Sequence, residues 1–175
     1  MRTRKDAFKL ITAAVLVLMA VSAAAQTAPE PVKKPKHIKV DVHARLKKAD
    51  LVFDMADAKM MRRKPRGLVS MIGLARHFKK EKVPYRIVGV FYGRSGAWVL
   101  KDRAYDGLTG KKGGNPYKKM IARLRKLGVE IDVCAVWMGH KKLSNADLLE
   151  GVKVTNNAYL RIIQLQQDGY VKMVM

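Results

Sequence analysis

A chain of 175 residues with 49% hydrophobic content is long enough to bury one core and too apolar to be disordered throughout. Its 36 Lys and Arg against 14 Asp and Glu give a formal net charge of +22, which invites a nucleic-acid or anionic-surface reading. The basic residues, however, run through every segment (KKPKHIK, RLKK, KMMRRKPR, HFKKEK, KKMIARLRK, HKK) without the interleaved aromatics of a stacking platform. That distribution sets nucleic acid aside in favour of a solvated basic surface with affinity for anionic partners.

In chain order, the first element is an export signal. Arg2, Arg4, Lys5 and Lys9 precede the apolar run Leu10 to Val21, and Ala23-x-Ala25 offers a cleavage site before Gln26. The run is twelve residues, short of the roughly 20 that span a bilayer, so residues 1–25 read as a cleaved signal peptide and the mature chain as soluble and periplasmic, without a membrane span. Removal of four basic residues and one acidic residue lowers the net charge by three, to +19. Residues 26–48, with three prolines and several lysines, read as a flexible linker.

A domain over 49–175 follows, in which apolar runs of strand length alternate with amphipathic segments of helix length. ADLVFDM (Ala49 to Met55) predicts the first strand. After a polar connection, Leu68, Met71, Ile72, Ala75 and Phe78 give one apolar face to a helix over Gly67 to Lys80. YRIVGVFY (Tyr85 to Tyr92) is a continuous apolar run, as suits a strand covered on both faces. GRSGAWVLKDRAY predicts a turn and a short helix, and GLTGKKGG a loop. Asn115 and Pro116 mark the start of the next helix and Gly128 its end. The strand VEIDVCA (Val129 to Ala135) is followed by the loop VWMGHKKL. Ser144 and Asp147 resemble a capping box for SNADLL. VKVTN predicts a brief strand, NNAYLRIIQLQQ a helix ended by Gly169, and YVKMVM the last strand. Strands separated by helices predict an α/β three-layer sandwich, with a mostly parallel sheet of about five strands and helices on both faces.

Few motifs carry chemistry. GLTGKKGGN lacks the spacing and the Ser or Thr of a phosphate-binding loop, and FYGRSG lacks the third glycine of a dinucleotide fingerprint. His37, His43, His77 and His140 are scattered, and only His140 lies near Cys134 in sequence, so no metal and no cofactor is expected. Cys134 with His140 could pair as nucleophile and base, yet nothing identifies an oxyanion hole or an orienting group. Cys134 is the chain's single cysteine. In an exported protein it is a buried apolar residue, an intermolecular cross-link or a reactive thiol. Free cysteines are among the most buried residues; against that, His140, Lys141 and Lys142 follow within eight residues, and nearby cations favour a thiolate.

The segments NPYKKMIARLRKLGVEIDVCA, HKKLSNADLLEGVKV and LQQDGY resemble the DsrE/DsrF-like proteins, in particular exported single-domain members. The likeness extends through ADLVFDM, RGLVSMIGLARHF and IVGVFYG to most of Leu51 to Met175. The resemblance implies a parallel α/β sheet, homo- or hetero-oligomers that are often trimeric or hexameric, and a cysteine that carries a persulfide in the sulfur-relay members. That cysteine maps onto Cys134, with His140, Lys141 and Lys142 as electrostatic support and a sulfur donor or acceptor protein as partner. At most the chain is then a sulfurtransferase-like carrier. It departs from many exported relatives in placing Ala135, Val136 and Trp137 after the cysteine, where they have small or polar residues as in Cys-Gly-Gln, and in having Tyr92-Gly93 where they often have His-Gly. The competing expectation is a non-catalytic binding or assembly module, with a structural Cys134 and a basic surface for acidic partners.

Overall fold

The computed structural model describes residues 38–175; the expected signal peptide and the first part of the linker lie outside the described residues. Met1–His43 and Ala44–Met175 are separate units. In the first, the described residues Ile38 to His43 are exposed and carry no helix or strand.

The second unit contains, in order, β1 (Ala49–Met55), β2 (Met60–Met61), β3 (Lys64–Pro65), α1 (Arg66–Lys80), β4 (Tyr85–Phe91), α2 (Asp102–Thr109), α3 (Lys118–Lys126), β5 (Glu130–Cys134), α4 (Ala135–His140), β6 (Lys153–Thr155), α5 (Ala158–Gln167) and β7 (Val171–Val174). Five strands form one sheet in the order β6-β5-β4-β1-β7, and all four strand pairs are parallel. This is the α/β fold that the alternation of strands and helices predicts. The chain steps outward through β1, β4, β5 and β6, then returns across the sheet through α5 to lay β7 beside β1. A reversal of direction with the same handedness of crossover moves the connecting helix to the other face.

Register identifies the two faces. Phe53, Gly89 and Ile131 are in line, as are Met55, Phe91 and Val133, and these residues point towards α1 and α3. A Cβ on Gly89 would lie 2.9 Å from the Phe91 side chain and 3.1 Å from that of Met71, so the missing side chain is what lets α1 lie close over β4. Leu68, Met71, Ile121 and Leu124 complete this dry layer and are essentially inaccessible. Burial of each such side chain contributes about 1.5–3 kcal/mol. On the opposite face, Asp50, Val52, Asp54, Val88, Val90, Asp132 and Cys134 lie under or beside α5, which packs on β1, β4 and β7. Arg86 bonds Asp50 at 2.8 and 2.9 Å, and its guanidinium holds the Asp50 carboxyl well below the usual carboxylate range.

The structure departs from the sequence expectations at four places. The polar connection after β1 contains the β2-β3 hairpin. The segment after Cys134 is a helix, α4, not a loop. The short helix α2 runs on into GLT of the expected loop. Asn115 caps a turn ahead of α3, its Oδ1 accepting from the Tyr117 N–H at 2.8 Å, so the helix starts at Lys118. The capping box of Ser144 and Asp147 is present and closes a single 3-10 turn.

Candidate functional site

In open parallel sheets, ligands gather beyond the carboxyl ends of the strands, and Cys134 is the last residue of β5. Glu130, Asp132 and Cys134 alternate onto the α5 side, because successive strand residues point to opposite faces. Cys134 is 5% exposed. Its Sγ accepts a hydrogen bond from the Ala158 N–H at 3.4 Å.

That donor is the first residue of α5. Asn157 caps the helix in an extended conformation, its Oδ1 accepting from the N–H groups of Tyr159 at 2.8 Å and Leu160 at 3.3 Å. The first turn is thus divided between the cap and the sulfur. A helix N-terminus carries about half a positive charge, and Sγ stands at that end of α5.

Two tyrosines flank this end of the sheet. Tyr92 follows β4, and its hydroxyl donates to Asp54 Oδ1 at 2.7 Å, while Lys172 Nζ stands 2.9 Å from Asp54 Oδ2. The Tyr92 ring meets Tyr159 edge-on, with centroids 5.4 Å apart. Burial, reinforced by the Asp54 hydrogen bond, pushes the Tyr92 phenol up, so Tyr92 is a hydrogen-bond donor throughout the neutral range. Trp137, three residues beyond Cys134, lies against Gly96, where a Cβ would approach its ring to 2.6 Å. Its Nε1 is buried without a partner.

An ionic clamp holds α5 on β5. Arg161 Nε donates to Asp132 Oδ2 and Nη2 to Glu130 Oε1, both at 2.8 Å, and Lys153 Nζ reaches Glu130 Oε2 at 2.7 Å. Asp132 is 2% exposed and its Oδ1 has no partner. Burial pushes its carboxyl up, with Arg161 opposing. For Glu130, burial is outweighed by Lys153 and Arg161, which hold its carboxyl below the usual range. Arg161 follows Ala158 by almost one turn, so the clamp fixes the turn that donates to the sulfur.

The other expected site residues lie elsewhere. His140, Lys141 and Lys142 are exposed at the far end of α4, about 9 Å along its axis from Cys134 by helical rise. Lys141 and Lys142 instead line a recess with Arg103 and Asp147. No hydrogen bond or ion pair joins any of the three to Cys134 among the described residues. The groups that the structure does bring to this edge, Tyr92, Asp54, Tyr159 and the Ala158 N–H, were not singled out by residue pattern, apart from Tyr92 as a departure from His-Gly. His37 lies outside the described residues, and among those described no cluster of three or more His, Cys, Asp or Glu could hold a metal ion.

A model of the DsrE/DsrF-like family matches residues 47–175. The chain belongs to that family. Among solved structures, this DsrE/DsrF-like protein is similar to a protein of unknown function, MTH1491, from Methanobacterium thermoautotrophicum. The match has a TM-score of 0.55 and 20% identity, covering 73% of this chain and 100% of the other. It is also similar to the ychN protein of E. coli, with a TM-score of 0.46 and 17% identity over 73% of this chain and 99% of that one. The first of these supports the α/β fold. No curated protein matches the sequence.

Proposed function

We propose that this DsrE/DsrF-like protein is a periplasmic carrier or binder of sulfane sulfur, exported through its N-terminal segment, with Cys134 as the residue that holds the sulfur. The observation that supports this reading is the hydrogen bond from the Ala158 N–H, at the positive end of α5, to Sγ at the carboxyl edge of the sheet. A thiolate or persulfide anion formed at that position gains from both the donor and the helix dipole.

The chemistry is exchange without net oxidation. The Cys134 thiolate attacks the outer sulfur of a donor persulfide, R–S–SH. The new bond joins Sγ to that sulfur, the donor S–S bond breaks, and R–S⁻ leaves. An acceptor thiolate then attacks the outer sulfur of Cys134–S–SH, takes it with its proton, and releases Cys134 as thiolate. Tyr92 and Tyr159, whose rings meet edge-on, stand beside Cys134 at this end of the sheet. The distal Lys141 and Lys142, beside His140, contribute a long-range positive potential from the two lysines and attract an acidic donor or acceptor protein. Assembly into a homotrimer or homohexamer is supported by the exposed apolar side chains of Tyr159, Leu160 and Ile163 on α5.

The test is intact-mass analysis of protein purified without reductant and then incubated with polysulfide. The native chain gains the mass of one or more sulfur atoms, and Cys134→Ser gains none. Absence of any gain until denaturant is added sinks the proposal. The 5% exposure of Cys134 favours a second reading, a non-catalytic binding or assembly module for acidic partners. Under it, Cys134→Ala retains partner binding and that binding weakens as salt rises.

A further inference from the structure

The outer surface of the α1/α3 layer has no part in the sulfur site. These two helices pack side by side on one face of the sheet, and neither contains an acidic residue. Lys119, Arg123 and Lys126 are exposed at i, i+4 and i+7, which makes one stripe along α3; Arg66, Arg76 and Lys79 are exposed on α1. Acidic residues reach only its margins, where Asp102 pairs with Lys118, Glu81 stands 3.9 Å from Lys80 and Glu150 stands 3.6 Å from Arg125. The layer is therefore a broad surface of one sign.

The β2-β3 hairpin runs directly into α1 and adds two features. Met61 pairs with Lys64 across a two-residue turn, Arg62-Arg63, whose φ values are 48° and 62°. That turn type favours Asn-Gly, because both central residues must adopt the left-handed conformation. Arginine is held there against its preference, and both guanidinium groups stand on the exposed tip of the hairpin. Met60 and Met61 point to opposite sides of their strand, yet are 48% and 47% exposed; Arg62, Arg63 and Lys64 are exposed as well, so the tip of the hairpin projects while buried Pro65 anchors its base. Apolar side chains between cations on a projecting tip suit the headgroup boundary of a bilayer, where apolar groups enter and cations stay with phosphate.

We propose that the α1/α3 layer and the β2-β3 hairpin form a docking face for an anionic lipid bilayer, with Met60 and Met61 inserted and Arg62, Arg63 and the helix cations on the headgroups. α5 lies on the opposite face of the sheet, so a docked molecule holds the helix that caps Cys134 on the side away from the bilayer. This face shares no residue with the sulfur chemistry, and either can fail alone.

The experiment is sedimentation of the full chain with vesicles of phosphatidylcholine alone, or of phosphatidylcholine and phosphatidylglycerol in roughly equal parts. The chain partitions onto the anionic vesicles at low salt and is released as salt rises. In the same full chain, so that the N-terminal cations contribute equally, Lys119→Gln/Arg123→Gln/Lys126→Gln lowers partitioning on the order of 100-fold, and Arg62→Asn/Arg63→Gly lowers it about 30-fold. The second variant also melts a few degrees higher, about 2–5 °C, because the turn conformation now suits its residues. Met60→Ser/Met61→Ser loses the vesicles while keeping its affinity for polyglutamate. Undiminished partitioning of the neutralised α3 variant overturns the proposal. So does a methionine variant that partitions like the wild type, in that case in favour of an acidic protein partner.

Discussion

The two faces of the sheet are built on different physics. Between the sheet and the α1/α3 layer, Phe53, Met55, Phe91, Leu68, Met71 and Leu124 are buried among aliphatic and aromatic neighbours with no charge between them. Under α5, one ten-residue helix covers a surface that carries Asp50, Asp54, Glu130, Asp132, Lys153 and Lys172, and it is held as much by Arg161 as by Ala158, Ile162 and Leu165. The first face is insensitive to pH and supplies cohesion. The second is polar and adjacent to the thiol, where the proposed exchange with a partner would take place. Stability and candidate chemistry therefore occupy opposite sides of the same strands.

Mutations on each side test that division. The largest effect is expected from Phe91→Ala, a fully buried ring in the dry layer, at about 3–5 kcal/mol of unfolding free energy by urea denaturation; a loss below about 1 kcal/mol would dissolve the contrast between the faces. Arg161→Met leaves Asp132 without its counter-ion. Removal of one member of a buried pair costs about 3–5 kcal/mol, and the 22% side-chain exposure of Arg161 lowers the expected loss to about 2–3 kcal/mol.

That second loss depends on pH. The folded-state value of Asp132 lies above its ordinary 3.8, so the folded chain holds this proton more tightly than the unfolded one. Stability from protonated Asp132 is present in acid and is lost as pH rises through the raised value. Without Arg161 that value rises further, and the variant is therefore destabilised more at about pH 8 than at about pH 5. It also exposes Cys134 to thiol reagent faster, because the first turn of α5 is released. A pH-independent loss, or unchanged labelling, would separate the clamp from the sulfur site.

Smaller effects follow at the site itself. Gly96→Ala places a methyl group 2.6 Å from the Trp137 ring and costs about 1–2 kcal/mol, read with a change in tryptophan fluorescence. Tyr92→Phe removes one hydrogen bond to Asp54, which keeps Lys172. Its cost is about 1 kcal/mol in thermal unfolding, and under the proposed carrier function a faster loss of sulfur from persulfidated Cys134 is the sharper readout.

The strands, the long helices and the position of Cys134 were legible because they rest on local pattern. The apolar spacing of α1 and the unbroken run of β4 need only their own residues. What was missed depends on distance or on brevity. α4 has six residues, too few for a periodic face. The β2-β3 hairpin has strands of two residues and no Asn-Gly turn signal. Asn115 announces a cap, but its side-chain amide also donates to the carbonyls of Trp98 at 2.9 Å and Leu100 at 2.6 Å, a tie across the fold that no window reveals. The cations near Cys134 in sequence are carried away by α4, and the group that meets the sulfur comes from 24 residues further on. The topology decides that meeting, since α5 must recross the sheet to reach β7.

The return of the chain through α5 also has a consequence for folding order. β1 pairs with β7 across a separation of 120 residues, Leu51 to Val171, whereas β4, β5 and β6 follow one another along the chain. Long-range pairing comes at a higher entropic cost and later than neighbouring pairing. An intermediate with β1, β4, β5 and β6 assembled therefore has a bare sulfur at the end of β5 and an open edge on β1. Docking of α5 covers the first and β7 the second, so the rate at which Cys134 becomes resistant to a thiol reagent during refolding times the last step of the fold.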